Sequence, residues 1–287
     1  VGLVMAACFA SHGYPVCCVD KDVRKVFNLK KGVVPFYEPG LNELAGSGIK
    51  SGLLSFTVNA KRALIDSSIV FICVGTPSFL NGKVDMRQYF SVMREIGSYL
   101  KKIHRETPLI IINKSTVPIG TASAAHAYLK KNSADARYAI VSNPEFLREG
   151  SAVNDFFSPD RIVLGIDDSA RDPQVSARIS KLFEKFLCPK VITNWETAEM
   201  IKYASNGFLA TKIPFINEIA AVCEKANADV AAVAEAMGHD PRIGPHFLRA
   251  GLGYGGSCFP KDVRALGAIG AHHNYSFKLL KTVIEVN

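Results

Sequence analysis

The sequence is short of several things, and each shortage narrows its possibilities. No apolar run reaches the ~18 residues that a membrane-spanning helix needs, so no membrane association is expected. Residues 1–10 (VGLVMAACFA) carry no basic stretch ahead of their apolar run, which argues against a secretory leader, and Met5 lies too far in to be an initiator. There is no Cys-x-x-Cys and no metal-ligand spacing, so no metal site is expected. Acidic residues are fewer than basic ones, 26 against 34, for a formal charge of +8. The basic residues cluster no further than short pairs such as Lys30-Lys31, Lys101-Lys102 and Lys130-Lys131. That scatter argues against a nucleic-acid stripe and suits a solvated basic surface. A small anionic ligand fits either reading.

What is present is ample. A chain of 287 residues, 48% hydrophobic, can build one large domain or two ordinary ones. Its seven cysteines are odd in number, and most sit in apolar patterns such as VCCVD, FICVG and AVCEK. Reduced, buried thiols in a cytoplasmic protein are expected. Cys258 is the exception, because glycine and serine precede it in GYGGSCFPKD.

Residues 1–194 alternate between apolar runs and helical patterns. The runs at 15–20, 69–75, 109–114, 138–142, 161–166 and 191–194 are rich in Val and Ile and predict strands buried on both faces. Helices are predicted over 2–12, 22–31, 88–103, 120–131 and 170–186. That alternation predicts a doubly wound parallel sheet. From Trp195 the texture becomes helical. One long helix kinked at Pro214, a second over 230–237 and a final helical run over 263–287 are expected. The predicted organisation is an α/β domain over 1–190 and an all-helical domain over 191–287.

The opening segment carries part of a dinucleotide signature. In a Rossmann unit the first strand leads into GxGxxG, and an acid closes the second strand. Gly2 stands where the last glycine belongs and Asp20 where the acid belongs; the first strand and the earlier glycines are missing from this sequence. An Asp at a strand end is also a common turn former. Gly75-Thr76-Pro77 and Ser115-Thr116 follow two further apolar runs, where open α/β sheets place their ligands. An acid rather than an arginine at position 20 favours NAD over NADP.

The segments VGTP (74–77), KSTVP (114–118), SNPEFLREGSAVNDFFSPDRIVLG (142–165), AEMIKYASNGFLATKIPFINE (198–218) and HDPRIGPHFLRAGLGYGGSCFPKDVRAL (239–266) resemble the UDP-glucose/GDP-mannose family of nucleotide-sugar dehydrogenases. PDRI (159–162) and GYGGSCFPKD are more similar to its UDP-glucose 6-dehydrogenases than to its GDP-mannose or UDP-N-acetylmannosamine members. The resemblance implies NAD-dependent, two-step oxidation of a sugar C6 hydroxyl to a carboxylate. It also implies a homodimer or higher homo-oligomer built on the helical domain. It further implies that the sequence is truncated at both ends, lacking the first strand and a C-terminal UDP-binding domain, so that this chain alone is expected to bind NAD poorly and turn over slowly.

Roles follow from the resemblance, residue by residue. Cys258 matches the nucleophile that holds the aldehyde as a thiohemiacetal and then a thioester; read alone, it is equally a structural cysteine in a turn. Lys202 and Asn206, four apart and so on one helix face, match the family's oxyanion stabilisers; by spacing alone they are a solvent-facing pair. Asp262 matches the aspartate that activates water or orients the lysine, and also reads as the N-cap of a helix from Val263. Glu145 is the implied acid/base group of thioester hydrolysis, through a water shared with Thr116. The implied NAD contacts are Gly2, Asp20, Lys25, Gly75, Thr76, Pro77, Ser115, Thr116 and Glu149. The implied sugar-nucleotide contacts are Glu145, Phe146, Leu147, Arg148, Glu149, Lys202, Asn206, Arg242, Phe247, Arg249, Gly253, Tyr254 and Gly255, although Arg242 and Arg249 also read as plain surface charge. Ser205, Gly207 and Pro214 depart from the family's usual Ala, Ala and Ser.

Overall fold

The computed structural model describes residues 1–79, 81–133, 136–167 and 172–287. It divides into two compact units. The first comprises Val1–Thr76 and Met86–Glu199, the second Pro77–Asp85 and Met200–Asn287.

In the first unit, helix α1 (Gly2–Ser11), strand β1 (Val16–Val19), α2 (Val23–Lys30), α3 (Leu41–Lys50), β2 (Leu54–Thr57) and α4 (Ala60–Ile65) come first. Then follow β3 (Ile69–Ile72), α5 (Arg87–Leu100), β4 (Leu109–Asn113), α6 (Thr121–Asn132) and β5 (Tyr138–Ser142). The unit's last named elements, before a long helix, are α7 (Ala152–Phe157), β6 (Ile162–Gly165), α8 (Pro173–Phe183) and β7 (Lys190–Thr193). The helix predicted over 170–186 is thus observed from Pro173; residues 170 and 171 lie outside the described ones.

The α/β architecture is as expected, with three differences. Strand β2 was not foreseen, because LSFT is short and not a clear apolar run; it pairs parallel to β1. The sheet is divided, β1–β2 standing apart from β3–β4–β5–β6–β7. It is also mixed: β6 joins β5 antiparallel at Ser142 and Gly165, whereas β6 and β7 run parallel. Strand direction depends on the path of the chain, which apolar content does not encode.

Burial on both faces holds at the centre of the sheet. Ile110 and Ile112 of β4 enter one core with α1, α3, α7 and α8; Leu109 and Ile111 enter the opposite core with α5 and α6. Period-two alternation sends neighbouring side chains to opposite faces. Each fully buried Ile or Leu contributes about 1.5–3 kcal/mol relative to exposure. At the margins the expectation fails: β1 alternates half-buried with exposed residues and β7 is largely exposed. Cys17 of β1 is accordingly exposed rather than buried, while all seven cysteines are free.

The long helix α9 (Trp195–Ala226) continues through Pro214 as one span. Its first turn belongs to the first unit, where Trp195 Nε1 donates to Ile140 O at 3.0 Å. The rest of α9 forms the second unit with α10 (Val230–Gly238), α11 (Phe259–His272), α12 (Lys278–Val286) and the Pro77–Asp85 segment. Tyr203, Ala210, Val263, Ala265, Leu266 and Leu280 make its core. The single helix predicted over 263–287 is two. Asn274 takes a left-handed φ of 58°, Asn274 N–H donates to Ala271 O and Tyr275 N–H donates to Gly270 O at 2.8 Å. This paired bonding ends a helix, and asparagine is among the few non-glycine residues that adopt its left-handed position. Among the described residues, no helix is long and apolar enough to cross a membrane.

Candidate functional site

In the first unit the implied NAD residues gather at the C-terminal ends of parallel strands. Gly2 opens α1 with its backbone against β3's continuation: a Cβ added there would lie 3.2 Å from Cys73 Cβ. A side chain there would have to push Cys73 aside by a few tenths of an ångström, so glycine favours this close helix–strand approach, the packing role of the last glycine in a dinucleotide loop. Asp20, just after β1, accepts Asp22 N–H at 3.1 Å and pairs with Lys25. Burial alone would raise its carboxyl, but the Lys25 hydrogen bond, the Asp22 N–H and the charges of Lys25 and Lys21 outweigh it and hold it below the usual value.

The loops after β3 and β4 are cross-linked. Thr76 Oγ1 donates to Thr116 O at 2.6 Å, and Ser115 Oγ donates to Val74 O at 2.8 Å. Gly75 is exposed, and an added Cβ would meet nothing nearer than Gln88 Oε1 at 4.0 Å, so the fold itself leaves space above this backbone. Pro77 opens the segment that belongs to the second unit. After β5, Asn143 Nδ2 donates to Val163 O and Lys114 Nζ donates to Asn143 Oδ1 at 2.9 Å. Glu145 is buried and accepts Leu147 N–H at 2.8 Å. Burial pushes the Cys73 thiol up to about 11, with the charge of Lys114 opposing and that of Glu145 adding. It is a poor nucleophile for that reason.

The remaining implied contacts of this unit are already engaged. Arg148 pairs with Asp155 through its guanidinium, and its N–H donates to the same carboxylate at 2.8 Å. Phe146 lies 4.0 Å beneath the Arg161 guanidinium, and Leu147 packs against the core. Glu149 is exposed.

In the second unit, the stretch GYGGSCFPKD becomes a turn feeding α11. Pro260 sits in the first turn, where its missing N–H costs nothing. Helix α11 starts at Phe259, not at Val263, so Asp262 is a first-turn residue and Cys258 is the N-cap. The Cys258 side chain caps no backbone group and is exposed. Gly253 and Gly256 adopt φ of 94° and 76°, which glycine alone takes at no cost. Gly255 has an ordinary φ and an added Cβ there would touch nothing within 4 Å. The fold does not require glycine at 255.

Asp262 is 1% exposed. It accepts Asn206 Nδ2 at 2.6 Å and pairs with Lys261. Its own N–H donates to Cys258 O at 2.9 Å. Lys202 and Asn206 are buried on one face of α9 rather than facing solvent. Tyr254 lies edge-on to Phe259, whose ring also meets Phe247. Arg242 is exposed and paired with Asp240, and Arg249 is exposed. The structure therefore gathers Cys258, Asp262, Asn206 and Tyr254 in one unit, and Thr116, Ser115, Thr76 and Glu145 in the other.

Three residues escaped the sequence reading. Lys261 was quoted but given no role. Asn287 accepts Tyr254 N–H at 2.7 Å and donates to Tyr254 O at 3.1 Å, clamping the glycine-rich turn from 33 positions away. Glu199 accepts Gly120 N–H at 2.6 Å and Ala122 N–H at 2.9 Å. Nothing local in the sequence marks Glu199 or Asn287 for these contacts.

Residues 1–187 match the NAD binding domain of the UDP-glucose/GDP-mannose dehydrogenase family, and residues 196–287 match that family's central domain. The chain belongs to the UDP-glucose/GDP-mannose dehydrogenase family. It is 46% identical over 289 residues to a UDP-glucose 6-dehydrogenase of Rhizobium meliloti (strain 1021), covering 100% of this chain and 65% of that protein. The same identity relates it to a UDP-glucose 6-dehydrogenase of Bacillus subtilis (strain 168), of which it covers 60%. Among solved structures, a UDP-glucose dehydrogenase from the hyperthermophilic archaeon Pyrobaculum islandicum superposes with a TM-score of 0.93 at 38% identity, over 100% of this chain and 65% of that one. The chain thus spans less than two thirds of the length of these relatives.

Proposed function

We propose that the chain is the catalytic core of an NAD-dependent dehydrogenase that oxidises the C6 hydroxyl of UDP-glucose to a carboxylate. The observation that carries this reading is Cys258: an exposed thiol at the start of α11, one turn before a buried Asp262 held by Asn206. A hydroxyl-to-ketone dehydrogenase needs no such thiol. An aldehyde yields a second hydride only after something adds to its carbonyl, and a cysteine sulfur is suited to that.

NAD, when bound, accepts one hydride in each of two oxidations. The residues at the strand ends fit it: Gly2 in its close packing, Asp20 at the ribose position and the open backbone at Gly75. In the first oxidation the alcohol gives up a proton and a hydride to become an aldehyde. The Cys258 thiolate then adds to the carbonyl carbon, and loss of a second hydride leaves a thioester. Water attacks the thioester, releasing the carboxylate and the free thiol. Lys202 and the second N–H of Asn206 Nδ2 stabilise the oxyanions, Asp262 orients this group, and Glu145 with Thr116 handles the water. Gly255, whose missing side chain the fold does not explain, leaves room for the pyranose.

Cys258→Ala tests this. The expected result is no more than one NADH per sugar, with aldehyde formed; two NADH per sugar from that variant would overturn the covalent route. A panel of UDP-glucose, GDP-mannose and N-acetylated nucleotide sugars separates the favoured substrate from those of sister enzymes.

A homodimer is the second part of the reading. Phe208, Phe215 and Val222 are exposed at seven-residue intervals on α9, and α10 (VAAVAEAMG) has no buried residue. Seven residues is close to two helical turns, so these side chains share a stripe, which a second copy covers. Sedimentation should show a dimer that Phe215→Glu dissociates. A dimer producing no NADH with any sugar would favour a non-catalytic dimerisation module. The seven free cysteines suit the reducing cytoplasm.

A further inference from the structure

We propose that Glu199 is a positioning residue for the Ser115–Thr116 loop, holding it through the backbone of α6 and releasing part of that hold when protonated. The inference rests on the reading of that loop as part of the NAD site.

The geometry is specific. Glu199 is 4% exposed and lies on the first-unit turn of α9. One carboxylate oxygen accepts Gly120 N–H, the other accepts Ala122 N–H, and Ser142 Oγ reaches the second oxygen at 3.4 Å. Gly120 is the N-cap of α6 and is glycine in a left-handed conformation, φ 88°, so it offers no side-chain cap of its own. Glu199 supplies the cap from 77 and 79 positions away. Gly120 lies four residues after Thr116, and Thr121 Oγ1 bonding to Pro118 O keeps the connection short. The loop is therefore pinned at Thr116 by Thr76 and at Gly120 by Glu199.

Accepting two N–H groups needs both oxygens, and an ionised carboxylate forms the stronger bonds. The titratable groups acting on the site are Glu196 on α9 and Tyr89 on α5. His126 of α6 stacks against Trp195, one turn of α9 away. Burial, opposed by the Ala122 and Gly120 N–H groups and aided by Glu196, pushes the Glu199 carboxyl up to about 7. The hold is thus set to change across neutrality.

Amide hydrogen exchange of Gly120 and Ala122, corrected for intrinsic rates, tests this on the wild-type protein without ligand. Protection should rise about fivefold from pH 6 to pH 8. In Glu199→Gln it should be low and independent of pH. NAD affinity, measured by fluorescence, should follow the same profile in the wild type and lose it in the variant. Flat protection in the wild type, or an unchanged pH profile in Glu199→Gln, overturns the proposal. If protection titrates but no NAD binds at any pH, the NAD reading of the loop falls and the positioning role of Glu199 stands.

Discussion

Asn206 Nδ2 donates to Asp262 Oδ2 at 2.6 Å in the buried interior of the second unit, joining α9 to α11 across 56 positions of sequence. Asp262 N–H in turn donates to Cys258 O. A buried carboxylate thus ties the turn that presents the exposed thiol to the helix that carries Lys202.

Asn206→Ala would remove the neutral donor from a buried carboxylate. Leaving such a group short of a partner costs about 1–3 kcal/mol. The expected outcome is an unfolding free energy lower by that amount, read as a lower urea midpoint at unchanged slope, with loss of activity exceeding the loss of folded protein. Unchanged stability would show that the bond contributes nothing net.

Asn287→Ala would free the backbone of Tyr254 from its two-point clamp. Since Gly253 already has a left-handed φ, the turn would lose order without losing the core beneath it. Proteolytic cleavage within 251–257 should accelerate several-fold while the thermal midpoint shifts little. Equal cleavage rates would refute the clamp.

Glu199 also predicts a pH dependence of global stability. Its folded pKa, about 7, is raised from an ordinary value of 4.5. The stability associated with the protonated form is fully present below pH 4.5 and is lost as pH rises through 7. That loss is on the order of 3 kcal/mol. Denaturation at pH 5 and pH 8 should therefore show wild type losing more stability than Glu199→Gln over this interval. Local capping by the ionised form grows over the same range, because desolvation of the charge and strength of its hydrogen bonds act in opposite directions.

Two glycines should respond differently to alanine. At Gly165 an added Cβ would lie 2.6 Å from Ala198 Cβ and 2.9 Å from Asn194 O, partly backbone that cannot turn aside. At Gly207 it would meet only side-chain ends, Leu266 Cδ2 at 3.1 Å and Leu280 Cδ2 at 3.8 Å. Gly165→Ala should cost about 1–3 kcal/mol through overpacking. Gly207→Ala should be near neutral, since a helix gain of about 1 kcal/mol offsets the shift required of Leu266. Thermal denaturation of both variants checks the contrast.

Local chemistry made much of this protein legible in its sequence. The apolar, Val- and Ile-rich runs of β4, β5 and β6 read as buried strands, and the break in texture at Trp195 marked the start of the long helix. Gly2, Asp20 and the loop around Cys258 stood out because residue type and position along an element restrict what the backbone can do there. Strand β2 was missed although LSFT alternates apolar and polar side chains, because four residues are too few for that period to stand out. Strand direction at β6, the division of the sheet and the break at Asn274 were settled by contacts between distant segments. So were the partners of the buried acids. Whether Asp262 was a helix cap or a buried carboxylate depended on where α11 began and on Asn206, 56 residues away. Whether Glu199 was one more surface acid depended on the N-terminus of α6. Sequence sets which groups can bond or be buried; only tertiary structure decides which of them meet, because the free energy of a buried charge depends on neighbours that folding alone brings near.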